Sequence, residues 1–314
     1  MQSAGGRRQW LAAGLGISLA FCASAGALAQ GDRFQFIISV ADAQGRPVTD
    51  LTRDDIVMSE RGVEHDIIRV EPFRVPVEVT IAVDNGPLSR DALAHYRAGL
   101  TALVKSLPTD VEITLITTSP QPLMVVRPTT DRQRILRGVN GFAPENEAPR
   151  FTDALVEFAE RLRTELEQTR RLDSIPVLVM ISTTVNEAVS YEVPQVSRAF
   201  GFLKARKAKV YIASLSQRQE LSGFAPLNTN RQALIGIPAT ELTGGRYEAI
   251  SISNRLATLL PEFGLAIAAL HRKHANQMLV TVNRQPEVTG PLQDPRIEVR
   301  RPGLSGHVSL DGLP

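Results

Sequence analysis

The stretch Val77–Asp84, VEVTIAVD, constrains this chain more than any other. It is almost continuously apolar and β-branched, and it lies between Pro76 and the turn residues Asn85-Gly86-Pro87. Such a run reads as a strand buried on both faces, the kind found at the centre of a parallel sheet. The helix-forming segment from about Ser89 to Leu107 then places Asp84 at the carboxyl end of that strand, where open α/β sheets put their sites.

The rest of the middle of the chain alternates in the same way. VEITLITT (111–118) is followed by a hairpin strand PLMVVR (122–127), the helical DRQRILRGV (131–139) and the helical TDALVEFAERLRTELEQT (152–169). IPVLVMIS (175–182), VPQVSRAFGFLKARK (193–207), VYIASL (210–215), RQALIGIPATEL (231–242), RYEAIS (246–251) and a last helix from about Asn254 to Lys273 complete the series. Strands and helices at this spacing predict an α/β fold with a doubly wound, Rossmann-like, mostly parallel sheet and helices on both faces. The mixed charges of residues 160–171 lie opposite an apolar stripe at 155, 158, 162 and 166, which reads as a solvated helix face.

The two ends read differently. Phe34–Val40 and Ile67–Val70 alternate apolar and polar residues between turns at Gly45, Pro47 and Gly62, while MLVTV (278–282), RIEVR (296–300) and HVSL (307–310) do the same near the far end. Neither set makes a self-sufficient sheet, so the two are expected to form one small β-domain together. The expected organisation is a signal peptide at 1–29, an N-terminal β segment at 30–74, the α/β domain at 75–272 and a C-terminal β segment at 273–314 that packs with 30–74.

Residues 1–29 have a basic start, an apolar middle and Ala27-Leu28-Ala29 as a small-residue cleavage site, which marks a secretory signal peptide with Gln30 as the new N-terminus. General secretion is preferred over the twin-arginine route, because Arg7-Arg8-Gln9-Trp10 fits that pattern poorly, and Phe21 before Cys22 spoils a lipoprotein signal. The protein is therefore expected to be exported, to the periplasm or beyond the cell, with no transmembrane segment in its mature form. Cleavage removes Arg7 and Arg8 from 35 basic residues and none of the 33 acidic ones, so the mature charge is zero. A balanced surface without an aromatic-interleaved basic stripe argues against nucleic acid. Cys22 is the one cysteine, so its loss also removes disulfides, thiolate catalysis and cysteine-held metals.

The element order, the strand ending in Asp84, ELTGGRYEAI before the last helix and the preceding GRPVTDLTRDDIVMSERGVEHDIIRVEPF resemble secreted bacterial proteins with a von Willebrand factor type A domain. The resemblance covers about residues 34–300. It implies a Rossmann-like fold that binds protein partners, commonly through a divalent metal at the top of the sheet. It also implies a first metal loop of the form D-x-S-x-S, in which Asp84 supplies the acid while Gly86 and Leu88 stand where the hydroxyls belong. Pro149 stands where the second loop has its threonine, and Thr183-Thr184 where the third has Asp-Gly. A shifted set of Asp84, Ser89, Thr152 and Thr183 has a single carboxylate, too little charge for a hard cation such as Mg²⁺. The expected metal site is therefore degenerate, and no metal or other cofactor is expected. Asp84 is expected to cap the following helix or to accept from loop amides.

Other candidate chemistry is weaker. His271 and His274 in HRKH suit a helix C-terminus as exposed cations, GLSGH around Ser305 and His307 reads as a turn, and Thr243-Gly244-Gly245 ends a helix and holds no phosphate. The loops Asn85–Ser89, Phe142–Phe151 and Thr183–Tyr191 are expected to converge at one edge of the sheet. There Asp84, Asn85, Ser89, Phe151, Thr152, Thr183, Thr184 and Tyr191 are expected to form the partner-binding surface, with the aromatics Phe142, Phe151 and Tyr191 equally readable as core. The expected function is a non-enzymatic protein-interaction module whose partner is a protein or a cell-envelope component. A structural part of an envelope assembly is the alternative. A hydrolase using Asp84 is a weaker one, since those loops hold no histidine to serve as a base.

Overall fold

The computed structural model of the protein describes residues 33–169, 174–184, 187–216 and 231–309; the expected signal peptide at 1–29, with Cys22, and the expected new N-terminus Gln30 lie outside them. The strands are β1 (Arg33–Asp42), β2 (Ile56–Glu60), β3 (Val63–Phe73), β4 (Val77–Val83), β5 (Glu112–Thr117), β6 (Leu123–Thr129), β7 (Ile175–Thr183), β8 (Lys209–Leu215), β9 (Arg246–Ile250), β10 (Gln277–Asn283), β11 (Pro295–Val299) and β12 (Leu304–Ser309). The helices are α1 (Ser89–Ser106), α2 (Arg132–Gly141), α3 (Phe151–Thr169), α4 (Val193–Ala205), α5 (Arg231–Thr243) and α6 (Leu256–Ala275). The chain divides into two compact units, with changeovers after Pro72 and after Asn276.

The larger unit is an α/β layer structure around a six-stranded sheet of order β6-β5-β4-β7-β8-β9. Strands β5, β4, β7, β8 and β9 run parallel, and β6 returns antiparallel to β5 as an edge. β4 and β7 sit side by side in the middle. Val77, Val79, Ile81 and Val83 pack on one face with Leu100 and Leu103 of α1 and Leu260 and Phe263 of α6. Ala82, Leu178 and Met180 pack on the other with Leu155, Leu162 and Leu203 of α3 and α4. From Val79 to Val83 the strand is buried on both faces, which is why the run is apolar there with Thr80 as its one polar residue.

Close approaches fix the layers. A Cβ on Gly99 of α1 would lie 2.7 Å from the Leu256 carbonyl oxygen at the start of α6. Gly244, at φ +62°, turns the chain out of α5, and a Cβ on the following Gly245 would lie 1.8 Å from the Val210 carbonyl oxygen. The pair thus ends a helix and lets β9 enter beside β8.

The smaller unit is a second six-stranded sheet, β11-β2-β3-β10-β1-β12, built from both ends of the described chain. β1 lies between β10 and β12 and is antiparallel to both. Phe36, Ile38, Ile56, Met58, Met278 and Val280 form its core. GLSGH corrects the expected turn: residues 304–309 are strand, because β1 offers a full second edge on which Gly306 and His307 pair with Val40 and Ser39.

Candidate functional site

The loops that leave the carboxyl ends of β4, β5 and β7 meet where the sequence places Asp84, and they are tied to one another. The peptide ladder continues past the strands: Asp84 N–H donates to Ile181 O at 2.8 Å and Thr118 N–H to Val83 O at 3.0 Å. Asp84 is buried. Its Oδ1 accepts from Gly86 N–H at 2.8 Å, and its Oδ2 accepts from Thr183 N–H at 2.9 Å and from the Thr183 hydroxyl. Asp84 therefore binds loop amides and does not cap α1, whose N-terminus carries no side-chain cap. Burial pushes its pKa up, and the donors from Thr183 and Gly86 pull against that. The phenol of Tyr96 is also pushed up, first by burial and then by the charge of Asp84.

Asn85 is the knot between loops. Its Oδ1 accepts from Ser119 N–H at 2.9 Å, its Nδ2 donates to Ala143 O at 3.1 Å, and its carbonyl accepts from Glu145 N–H at 2.6 Å. The Ser89 hydroxyl donates to Gly86 O at 2.7 Å, closing the turn into α1. Thr184 N–H donates to Leu215 O at 3.0 Å, and Phe151, the first residue of α3, lies in the core.

At the start of α3 the structure reveals a residue that sequence reasoning passed over. Glu187 reaches back to accept from Thr152 N–H at 2.8 Å and from the Thr152 hydroxyl at 2.6 Å. It supplies from outside the helix the capping acceptor that Pro149 and Arg150 do not. Burial raises its pKa, and its bonds with Thr152 oppose the rise. Beside it Asp153 accepts from Ser190 N–H at 2.9 Å and from Arg150 at 2.9 Å, while Arg150 also donates to Pro120 O at 2.6 Å. The sequence does hold a signal for Glu187: α3 begins at Phe151 with no Ser, Thr, Asp or Asn immediately before it.

The predicted residues are thus brought together but turned inward. Asp84, Asn85, Ser89, Phe151, Thr152, Thr183 and Thr184 are all buried, and only Tyr191 is half-exposed. Seven of the eight cannot serve as a contact face in this conformation, because Phe151 packs in the core and the polar atoms of the other six are spent on holding the loops. Phe142 is core as well. His271 corrects a second expectation: it is buried, and its Nε2 stands 3.1 Å from Asp110 Oδ2.

A hard cation needs several converging oxygens that carry charge. The hydroxyls of Ser89 and Thr152 point to Gly86 O and Glu187, so the shifted set does not converge on Asp84. One position beyond the last paired residues Thr117 and Ile181, Thr118 and Ser182 carry only neutral hydroxyls. A Cβ on Gly86 would lie 3.1 Å from both Asp84 Oδ1 and Pro149 Cδ, so the loop is closed down on the carboxylate. Among the described residues no group of three or more His, Cys, Asp or Glu could hold a metal ion. The residues around Asp84 do not fit the metal that the resemblance implies.

No family model and no curated protein matches the chain. Among solved structures it is similar to a von Willebrand factor type A protein from Catenulispora acidiphila, at 11% identity and TM-score 0.46, covering 93% of this chain and 74% of that one. It is also similar to the conserved hypothetical protein BatB from Bacteroides thetaiotaomicron, at 15% identity and TM-score 0.43, over 62% and 99% of the two chains. A third is proximal thread matrix protein 1 from the mussel byssus, at 13% identity and TM-score 0.43, over 63% and 49%. The strand order and register of the larger unit themselves define a mixed, mostly parallel α/β sheet. Among the described residues no helix is long and apolar enough to cross a membrane.

Proposed function

We propose that this chain is an exported, non-enzymatic protein-interaction module with a type A fold that works without metal at Asp84. The observation that carries the reading is that both carboxylate oxygens of Asp84 are occupied by Gly86 and Thr183, with no other acid among their hydrogen-bond partners. A hydrolytic role lacks support, since among the described residues no histidine is hydrogen bonded to Asp84 and its carboxylate faces amides. Export rests on residues 1–29, and the partner is a protein or a component of the cell envelope. Recognition then belongs to exposed side chains, with the loop cluster serving as the frame.

Thermal unfolding tests the metal claim. A cation held at a concentration about a hundred times its Kd stabilises the folded state by about 2.7 kcal/mol. For a unit of this size that is a rise of about 5–10 °C. Millimolar Mg²⁺, Ca²⁺ or Mn²⁺, or EDTA, is expected to leave Tm unchanged. A metal-dependent rise that vanishes in Asp84→Ala overturns the proposal.

A further inference from the structure

The edge strand β6 has a surface that the loop cluster does not explain. Leu123, Met124 and Val125 are exposed in succession, at 56%, 48% and 36%, while Val126 is buried. Strict alternation would hide every second residue. It fails here because Ile116 pairs with Met124 and Leu115 with Val126, leaving Val125 as an extra residue in a bulge. β6 ends the sheet order, so its outer backbone groups have no strand beside them among the described residues.

A basic rim borders this apolar edge. Arg127 lies on β6, and Arg134 and Arg137 lie on α2, which packs over it; all three are exposed, with no ion pair among the described residues. Gly138, one turn on from Arg134, sits so close that a Cβ there would lie 2.3 Å from Val126 Cγ2 and 3.6 Å from Val125 Cγ1. Arg134 therefore stands over the same strand. The local acid, Asp131, is already used: its carboxylate accepts from Gln133 N–H at 2.9 Å and from Arg134 N–H at 3.1 Å at the N-terminus of α2.

We propose that β6 is a docking edge for an extended segment of a protein partner in which apolar residues alternate with Asp or Glu. Backbone pairing along 123–127 would supply affinity, and the three arginines would select the acidic side chains. Charge decides between occupants. A two-fold pairing of β6 with a second copy would gather both sets of arginines along one seam without an acid to offset them. The bulge and Pro128 limit pairing to a short stretch, which suits a linear segment better than open-ended sheet growth.

The proposal rests on the interaction-module reading and is tested separately from it. The probe is a fluorescent ten-residue peptide alternating Val and Glu, with a Val and Lys counterpart and a Val and Glu peptide N-methylated at alternate amides. Anisotropy is expected to show the Val and Glu peptide binding. Arg127→Glu with Arg134→Glu should weaken it about tenfold, the scale of two exposed ion pairs, and added salt should weaken it as well. Leu123→Ser with Met124→Ser should weaken it without changing the circular dichroism spectrum, since both side chains are exposed. The two control peptides should bind at least about tenfold more weakly. Equal binding of the acidic and basic peptides, indifference to either double variant, or no binding at millimolar peptide overturns the proposal. So does a dimer in sedimentation that dissolves in Val125→Glu, which would assign the edge to a second copy. Those results leave the metal-independent reading standing, and a metal-dependent Tm would sink that reading without touching β6.

Discussion

Replacing Arg284 by Met should open the smaller unit, and the loss should depend on pH in a direction that the structure dictates. Glu60, at the end of β2, has a side chain that is 0% exposed. Arg284 clamps it with Nε on Oε2 at 2.9 Å and a second nitrogen on Oε1 at 2.7 Å, and Gln293 N–H adds a bond at 2.7 Å. His65 of β3 stands 3.3 Å from Glu60 Oε2 through Nε2, and its Nδ1 accepts from Gln285 N–H at 3.3 Å, an arrangement that needs a neutral ring donating from Nε2. Burial alone would raise the pKa of Glu60, but Arg284, Gln293 and His65 outweigh it and hold the carboxyl below its usual 4.5. Removing the cation strands a buried charge, which costs about 3–5 kcal/mol. Amide exchange across β2 and β10 should then quicken by about 10²–10³-fold or more. In the parent, Glu60 contributes stability above its unfolded pKa that is lost as pH falls through the lower folded value. In Arg284→Met the carboxyl is left raised, so its penalty is present at neutral pH and fades as the group protonates. The gap between the two proteins should be widest near pH 7 and narrow towards about pH 4.5. Glu60→Leu with Arg284→Met should recover most of the loss, because an apolar pair replaces a buried ion pair at little cost. Hydrogen exchange by mass spectrometry reads all three. A loss below about 1 kcal/mol at neutral pH, a fraction of that expected for a broken buried pair, or one that is independent of pH, would refute the reasoning.

Glu187→Ala should cost about 1 kcal/mol, the worth of a helix cap, and its effect should appear as faster exchange in the first turn of α3, with Thr152→Val giving a smaller loss of the same kind. Gly245→Ala should cost about 3 kcal/mol or more in urea unfolding, since a methyl 1.8 Å from the Val210 carbonyl oxygen forces β9 away from β8; an unchanged midpoint would mean that the two strands are not held so close.

The fold was legible where burial writes a pattern into the sequence. VEVTIAVD and IPVLVMIS are almost continuously apolar, and PLMVVR follows β5 closely enough to be a hairpin, so the central pair β4–β7 and the edge pair β5–β6 could be read directly. The extent of β12 was less visible, because Ser305 and Gly306 look like turn residues until β1 is in place to pair with them. His271 could have been found: Leu260, Gly264, Ile267 and His271 form one buried stripe on α6, and a histidine on that stripe belongs with the core. The inward turn of the loop residues left no such trace. It depends on the Asn85 side chain reaching the Ala143 carbonyl and the Thr152 hydroxyl reaching the Glu187 carboxylate, contacts between residues that are 58 and 35 apart and follow no period.

Asp84 shows why a carboxylate can persist at this position when the residues that would share a cation with it are absent. A buried carboxylate without a counter-ion is expensive unless donors satisfy it. Here the donors come from the loop after its own strand and from the end of the neighbouring strand β7, so satisfying the charge also locks the tops of β4 and β7 together. Placing a cation there would require Thr183 and Gly86 to withdraw, replacing two amide donors and a hydroxyl by one bond to a metal that still lacked ligands of its own. The same neutral donors that make Asp84 tolerable thus make it a poor metal ligand. The α/β frame can hold its shape through Asp84, and on the proposed reading recognition falls to the exposed edge, where Leu123–Val125 present apolar surface and Arg127 a positive charge without an ion pair among the described residues.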